Sequence, residues 1–311
     1  MKHFLRLNHH SPDLLRELIE EGVRIKQKPQ EYADRLAAKT LLMIFEKPSL
    51  RTRLSFEVGM TQMGGSAIFY SVKDSPLGRK ESISDTSKVA SRMVDLVMAR
   101  LNRHADLADL AENSDVPVIN GMCDIAHPCQ ILADFMTLRE RWGGLPAGKK
   151  LTYVGDSCNN VTYSLMIGGA MMGFHVAVGC PDHADFKPEE WVCKEVDELL
   201  GQYGGALTIT HDAEEAADGA DVVYADSWMS YHVSPEEEAE RIKMLQPYQV
   251  NSALMARASS DAVFMNCLPA KRGQEQTAEV IDGPQSIVFD QAENRLHAQK
   301  ALVVHLAGTG S

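Results

Sequence analysis

Apolar residues in this chain fall into short continuous runs, separated by stretches where they recur every three or four positions. The runs "TLLMIF", "SAIFYS", "VDLVMAR" and "VPVING" have the length of buried strands and are bounded by turn-forming residues. Helical stripes stand between and around them. "SPDLLRELIEEG" offers Ser11 as N-cap and Pro12 at the first helical position. "TRLSFEVGMTQMGG" enters at Thr52 and closes on Gly64 and Gly65, while "SISDTSKVASRM" and "ADLADLAENS" follow the next two strands. "HPCQILADFMTLRERWG" keeps Ile131, Leu132, Phe135 and Leu138 at helical spacing.

After "GGLPAGKK" a second series begins with the strand "LTYVGD", the helix "NNVTYSLMIGGAMMG" and the strand "HVAVGCP". "EEWVCKEVDELLGQYG", "ALTITH", "AEEAADGA", "DVVYADSW" and "DAVFMNCLP" continue it, and "ENRLHAQKALVVHLAG" reads as a terminal helix. Such alternation predicts an α/β chain of two open parallel-sheet domains joined by interdomain helices. The boundary falls near residues 140–149, with helix 129–141 leaving the first domain and the terminal helix returning to it. A ligand site is then expected in the cleft, where strand ends and helix N-termini converge. No solenoid-type repeat is visible, and the likeness between the halves is one of αβ organisation only. No G-x-G-x-x-G follows "LTYVGD", so a dinucleotide site has no support there.

Composition narrows the classes. The 311 residues are 44% apolar and 24% charged, with a formal net charge of -12 and no isolated block of Lys or Arg. That argues against a broad nucleic-acid surface, which needs accumulated positive charge. A small anion remains compatible, since two or three converging basic groups hold it whatever the global charge. Cys123, Cys129, Cys158, Cys180, Cys193 and Cys267 form no CxxC pair. The start of the chain shows no signal-peptide core, and no apolar stretch reaches the ~20 residues of a membrane-spanning helix. A cytoplasmic, reducing location with free thiols is the expectation, with no membrane partner.

Candidate chemistry first appears in "FEKPSLRTR". Ser49 and Thr52 offer hydroxyls, a helix start offers unpaired amides, and Arg51 brings a planar donor suited to phosphate oxygens. Arg53 need not face the same way. Local chemistry leaves two readings open, an ordinary capped helix with surface arginines or an anion cradle.

"FEKPSLRTRLSFE", "HPCQILADF", "DSWMS", "NCLPAKRG" and "VFDQAENRLHAQKALV", in this order along essentially the whole chain, resemble the ornithine carbamoyltransferases of the aspartate/ornithine carbamoyltransferase superfamily. That family transfers the carbamoyl group of carbamoyl phosphate to an amine, its ornithine branch giving citrulline for arginine biosynthesis. The resemblance implies a carbamoyl-phosphate-binding domain over 1–140, completed by the C-terminal helix 293–311, and an amino-acid-substrate-binding domain over 149–285. It assigns carbamoyl phosphate to Ser49, Leu50 through its amide, Arg51, Thr52, Arg100, His127, Gln130 and Arg295. Asn160 would take the substrate α-carboxylate, and Asp226 and Ser230 the α-amino group. Cys267 and the Leu268 carbonyl would lie near the side-chain amine, and Tyr231 stands in the loop that carries Asp226 and Ser230. Arg100, His127, Cys267 and Arg295 are the implied catalytic residues. Neither metal nor redox cofactor is implied. The relatives are homotrimers, sometimes assembled further, and "SPLGRKE" matches the segment that reaches a neighbouring site. Leu268–Pro269 is a candidate cis bond.

The sequence departs from the family pattern where the amine should be chosen. Leu50 stands for a threonine, Tyr231 and His232 for Met-Gly, Asn266 for histidine, and Pro76 for a glutamine. Carbamoyl transfer to ornithine is therefore the leading expectation. Another amine (putrescine, lysine or a modified ornithine) is the first alternative, and a non-catalytic carbamoyl phosphate sensor the second. The absence of residues beyond "HLAGTGS" counts against putrescine.

Overall fold

The computed structural model describes residues 2–74, 81–229 and 234–308. The chain groups into two compact units, Met1–Gly144 with Ala292–Ser311, and Leu145–Gln291.

In the first unit, helix α1 (Pro12–Gln27) opens as expected, Ser11 Oγ accepting from Leu14 N at 3.2 Å. Four parallel strands follow, each joined to the next by a helix: β1 (Thr40–Phe45), α2 (Leu50–Gln62), β2 (Ser66–Ser71), α3 (Ile83–Ala90), β3 (Leu96–Arg100), α4 (His104–Glu112) and β4 (Val118–Met122). The strand order is β2-β1-β3-β4. β3 and β4 are buried throughout, which is why their sequences, apart from Arg100 at the end of β3 and Asn120–Gly121 in β4, are apolar rather than alternating. Helix α5 (Pro128–Trp142) is buried from Pro128 to Leu138 and ends at Gly143, whose φ of +72° is the left-handed turn that a side chain would disfavour.

The second unit repeats the plan. β5 (Lys150–Val154), α6 (Asn160–Met171), β6 (His175–Gly179), α7 (Glu190–Tyr203), β7 (Ala206–Thr210), α8 (Ala213–Ala217), β8 (Val222–Tyr224), α9 (Glu238–Leu245), α10 (Ser252–Met255), β9 (Val263–Met265) and α11 (Ala278–Ile281) follow in turn. The sheet is parallel in the order β7-β6-β5-β8-β9. The last helix, α12, runs Val288–Gly308, opening earlier than the "ENR" at which the sequence places it.

A shared device sits at the start of both sheets. Asp95 accepts from Thr40 N at 2.8 Å and from Lys39 Nζ at 3.0 Å. Asp221 likewise accepts from Lys150 N at 2.8 Å and from Lys149 Nζ at 2.6 Å. In each unit an acid before one strand satisfies the first amide of its neighbour. The likeness of the halves thus extends beyond αβ alternation to a matched strand-start pair.

Both sheets have a reversal point, between β1 and β3 in the first unit and between β5 and β8 in the second. Loops leaving the carboxyl ends of such strands diverge to opposite faces and leave room for a ligand. At these points Ser49–Thr52 follow β1 and Arg100 ends β3 in the first unit, and Asn160 and Asp226 follow β5 and β8 in the second.

Candidate active site

In the first unit the register sets Phe45 beside Arg100. The loop Glu46–Ser49 therefore starts next to the last residue of β3, and Glu46 N donates to Arg100 O at 2.9 Å. Helix α2 starts at Leu50 rather than at Thr52, because Ser49 is its N-cap and accepts from Thr52 N at 3.3 Å. The first amides of the helix are thus those of Leu50 and Arg51, while that of Thr52 is spent on the cap. Leu50 projects its side chain outward, 69% exposed, so the lost threonine hydroxyl costs the cradle a side chain but not its backbone donor.

Thr52 is fully buried, and its Oγ1 accepts from Ser49 Oγ at 3.1 Å and from Arg295 Nη2 at 3.3 Å. Because it accepts in both bonds, the hydroxyl keeps its own proton for donation. Arg295, brought back by α12, also donates through Nη1 to Gln130 Oε1 at 2.6 Å. Gln130 Nε2 is held in turn by Asp134 Oδ1 at 2.8 Å. With its amide oxygen turned toward Arg295, Gln299 accepts from Nε at 3.0 Å and Nη2 at 2.9 Å. Nothing in one dimension singles out Asp134 or Gln299, since each reads as one polar position in a helical stripe.

His127 is the residue before α5 and is 5% exposed. Burial first, then the positive charges of Arg295, Arg100 and Arg51, holds its imidazole well below the ordinary histidine range. At neutral pH the ring is uncharged and donates from one nitrogen only. Arg53 is turned away, as expected: it pairs with Glu57 at 2.8 Å and lies over the Phe69 ring at 4.1 Å. The first unit thus assembles Ser49, Leu50, Arg51, Thr52, Arg100, His127, Gln130 and Arg295 around the β1–β3 reversal.

In the second unit Asp226 follows β8 and Cys267 follows β9, and the thiol donates to Asp226 Oδ1 at 3.1 Å. Asn266, fully buried between them, makes three bonds. Its Oδ1 accepts from Leu268 N at 2.7 Å, its Nδ2 donates to Gln276 Oε1 at 3.2 Å, and its amide donates to Gln291 Oε1 at 3.0 Å. Gln291 is anchored on Tyr224 Oη at 2.9 Å. The asparagine that departs from the family pattern is thus the buried tie of this loop. Leu268–Pro269 is cis, and Leu268 has φ +55°.

Asn159 is the N-cap of α6, accepting from Val161 N at 3.0 Å and Thr162 N at 2.9 Å, which leaves Asn160 as the half-buried first residue of the helix. Lys271 and Arg272, in the "AKRG" stretch after Pro269, are both exposed and paired, with Glu238 at 3.4 Å and Asp282 at 2.5 Å. Ser230, Tyr231 and His232, and Pro76 with the rest of "SPLGRK", lie outside the described residues.

Two further buried carboxylates flank this part of the second unit. Asp156, 1% exposed, pairs with Arg241; burial pushes its carboxyl up to about 6, and the arginine's attraction offsets only part of that. Removing one member of such a pair costs about 3–5 kcal/mol, because the other charge is left buried alone. Glu275 is 2% exposed, and burial raises its carboxyl to about 7. Amides of its own residue, Lys271 and Trp228 oppose the rise, and Asp226 adds to it.

Since the native state binds the Glu275 proton more tightly than the unfolded chain does, its contribution to stability is full below pH ~4.5 and is lost as pH rises through 7. For Glu275→Gln we expect that contribution to vanish. Urea unfolding of the variant relative to wild type should shift in the variant's favour by on the order of 2–3 kcal/mol between pH 5 and 8. Parallel pH profiles would show that Glu275 does not titrate in this window.

The chain's two units match two parts of one family. Residues 2–140 match the aspartate/ornithine carbamoyltransferase carbamoyl-P binding domain, and residues 147–306 match its Asp/Orn binding domain. The second match includes most of α12, whose residues from Ala292 on group with the first unit here. An ornithine carbamoyltransferase of Carboxydothermus hydrogenoformans is 48% identical over 307 residues, 98% of this chain and 97% of that protein. Among solved structures, the ornithine carbamoyltransferase of Pyrococcus furiosus is 45% identical with a TM-score of 0.94, covering 99% of this chain and 97% of that one. The ornithine transcarbamoylase of Giardia lamblia is 43% identical with a TM-score of 0.90, covering 98% of each chain. With arginines gathered on a buried histidine in the unit matching the carbamoyl-P domain, and Asp226 joined to Cys267 in the unit matching the Asp/Orn domain, the chain belongs to the aspartate/ornithine carbamoyltransferase family.

Proposed function

We propose that this chain transfers the carbamoyl group of carbamoyl phosphate to the side-chain amine of L-ornithine, giving L-citrulline and phosphate. The observation that carries the reading is the convergence of Arg51, Arg100 and Arg295 on the buried, neutral His127 within a unit that matches the carbamoyl-P binding domain. Residues 1–140 with 293–311 serve as the carbamoyl phosphate domain and 149–285 as the amino-acid domain.

The phosphate rests on the α2 N-terminus, where the Leu50 and Arg51 amides, the Thr52 hydroxyl and the Arg51 guanidinium are available. His127 donates to the carbamoyl oxygen, and Gln130 fixes the carbamoyl group while holding Arg295. When the amine attacks, negative charge grows on that oxygen and on the leaving phosphate. Arg100 and Arg295, already fixed by the fold, stabilise both without reorganising. A neutral imidazole suits this role, because it adds a donor without adding a further positive charge beside the three arginines.

On the amino-acid side, Asn160 binds the α-carboxylate, Asp226 with Ser230 and Tyr231 the α-amino end, and Cys267 with the Leu268 carbonyl the δ-amine. An alkylammonium titrates near about 10, so the site must capture the neutral amine or remove its proton. The Cys267 thiol, hydrogen-bonded to Asp226, offers a path for that proton without a covalent intermediate. Exposed Leu50 and Leu54 on α2 and Ile68 and Phe69 on the edge strand β2 support a homotrimer in which a second copy covers them. The six free thiols support a cytoplasmic setting.

A substrate panel tests the reading. With carbamoyl phosphate, ornithine is expected to have the highest kcat/KM among ornithine, lysine, putrescine and acetylated ornithine. A higher value for another amine would move the assignment to that amine, which Tyr231 and His232 favour most directly. Tight carbamoyl phosphate binding with no turnover would leave a sensor.

A further inference from the structure

Beneath the Cys267–Leu268 turn lies a network of uncharged polar side chains. Asn266, Gln276 and Tyr224 are fully buried and Gln291 is 1% exposed, whereas Cys267 and Leu268 are half-buried. The network fixes two peptides of the turn. The Met265–Asn266 peptide gives its N–H to Gln291 Oε1 at 3.0 Å, and Gln291 Nε2 donates to Tyr224 Oη at 2.9 Å. The Cys267–Leu268 peptide gives its N–H to Asn266 Oδ1 at 2.7 Å, two residues back, as in an Asx turn. A backbone N–H can only donate, so the oxygen of the Asn266 amide must face it, and Nδ2 is left to donate to Gln276 Oε1 at 3.2 Å. Cys267 stands between the two fixed peptides, with its thiol on Asp226 Oδ1 at 3.1 Å. The neighbouring strand is tied in as well, since Ala225 N donates to Met265 O at 3.2 Å. Leu268 has φ +55°, a left-handed conformation that side chains disfavour.

Fold stability alone does not call for this arrangement. Replacing both partners of a buried hydrogen bond by apolar groups of the same shape is often nearly neutral. A satisfied polar network instead imposes one arrangement on the groups it joins. Here the bonds converge on the two peptides that flank Cys267, and one of them holds the N–H of a leucine in a disfavoured conformation.

We propose that Asn266 and Gln291 are positioning residues for the reacting amine, holding the turn so that the Cys267 thiol and the Leu268 carbonyl keep a fixed place beside Asp226. This rests on the amino-acid-site reading above. Neither residue touches the substrate; both act through the backbone of the turn. The departure from the family pattern then has a physical meaning. A neutral histidine carries Nδ1 on the same carbon that carries Oδ1 in asparagine, so either residue offers the Leu268 N–H an acceptor, and asparagine does so without titrating. Asn266→Ala and Asn266→Ser isolate that acceptor. Both lose the bond to Gln276 and leave similar space, but serine Oγ still accepts from an N–H two residues on.

Steady-state kinetics on the full chain test the proposal, with calorimetric titration of carbamoyl phosphate and a melting temperature for each variant. Asn266→Ala should lower kcat/KM for ornithine by about 10- to 100-fold, and Asn266→Ser by no more than about fivefold. Carbamoyl phosphate affinity should stay within about twofold in both, because the network lies wholly within Leu145–Gln291. Equal kcat/KM in the alanine and serine variants overturns the proposal, since lost packing alone moves both alike. A fall in carbamoyl phosphate affinity by the same factor as kcat/KM overturns it too. If Asn266→Ala does not fold, Gln291 decides. Gln291→Glu keeps an acceptor for the Asn266 amide and Gln291→Met removes it, so the methionine variant should fall about tenfold below the glutamate one, and equality overturns the proposal. Wild-type turnover tests the ornithine reading separately. Should another amine rank first, the same comparisons are read with that amine; no turnover of any amine overturns both.

Discussion

Arg51→Ala is expected to weaken carbamoyl phosphate binding by two to three powers of ten while leaving the protein folded. Arg51 is half-buried in the first turn of α2, and its charge reaches His127. A guanidinium facing a phosphate makes charge-assisted, often bidentate bonds worth roughly 1.5–3 kcal/mol each, and about 1.4 kcal/mol is a factor of ten in Kd. Two such bonds near the lower end of that range give the expected loss. Calorimetric titration with carbamoyl phosphate measures it directly. Arg53→Ala is the internal control, because Arg53 is committed to Glu57 and the Phe69 ring. It should bind within about threefold of wild type. Equal affinity of Arg51→Ala and wild type would remove Arg51 from the site and leave the helix N-terminus to hold the phosphate alone.

The contrast between these arginines shows what one dimension carries. Sequence spacing separated Arg51 from Arg53 but could not say which carboxylate or ring would claim the second. The central strands were legible because a parallel sheet buries them, so β3, β5 and β8 are mostly apolar, whereas the outer strands β2 and β7 carry exposed positions and read through the turns that bound them. Boundaries were less so. Helix α2 starts at Leu50 because a serine cap accepts from an amide three residues on, and Ser49 reads equally well as a loop hydroxyl. Residues that hold other residues were not legible. Gln299, Asp134, Arg241 and Glu275 have their partners elsewhere in the sequence or hidden in a helical stripe, and only folding makes them neighbours. The meaning of Asn266 also needed the structure. As a departure from the family pattern it signalled altered specificity, whereas its three bonds make it the buried tie between β9 and the Cys267–Leu268 turn.

For the second substrate, Asp226→Asn should lower kcat/KM for ornithine by two to three powers of ten with carbamoyl phosphate affinity unchanged. The substitution keeps the size of the side chain and an oxygen to accept from Cys267, now 3.1 Å from Asp226 Oδ1, but removes the negative charge. On the proposed assignment, what the variant loses is an ion pair with the substrate's α-ammonium, together with the pull of a full carboxylate on the thiol. In a partly buried site each of these is worth more than at an open surface. A substrate lacking the α-amino group separates the two effects. 5-Aminopentanoate presents the same terminal amine with no α-ammonium, so wild type should discriminate strongly against it. Asp226→Asn should erase most of that discrimination, because it has lost the partner that made the difference. If the variant still prefers ornithine by the wild-type ratio, Asp226 does not read the α-amino group. A fall in turnover of both substrates by the same factor would instead place its whole effect in the thiol and the transfer step, since an ion pair absent from one substrate cannot slow both equally.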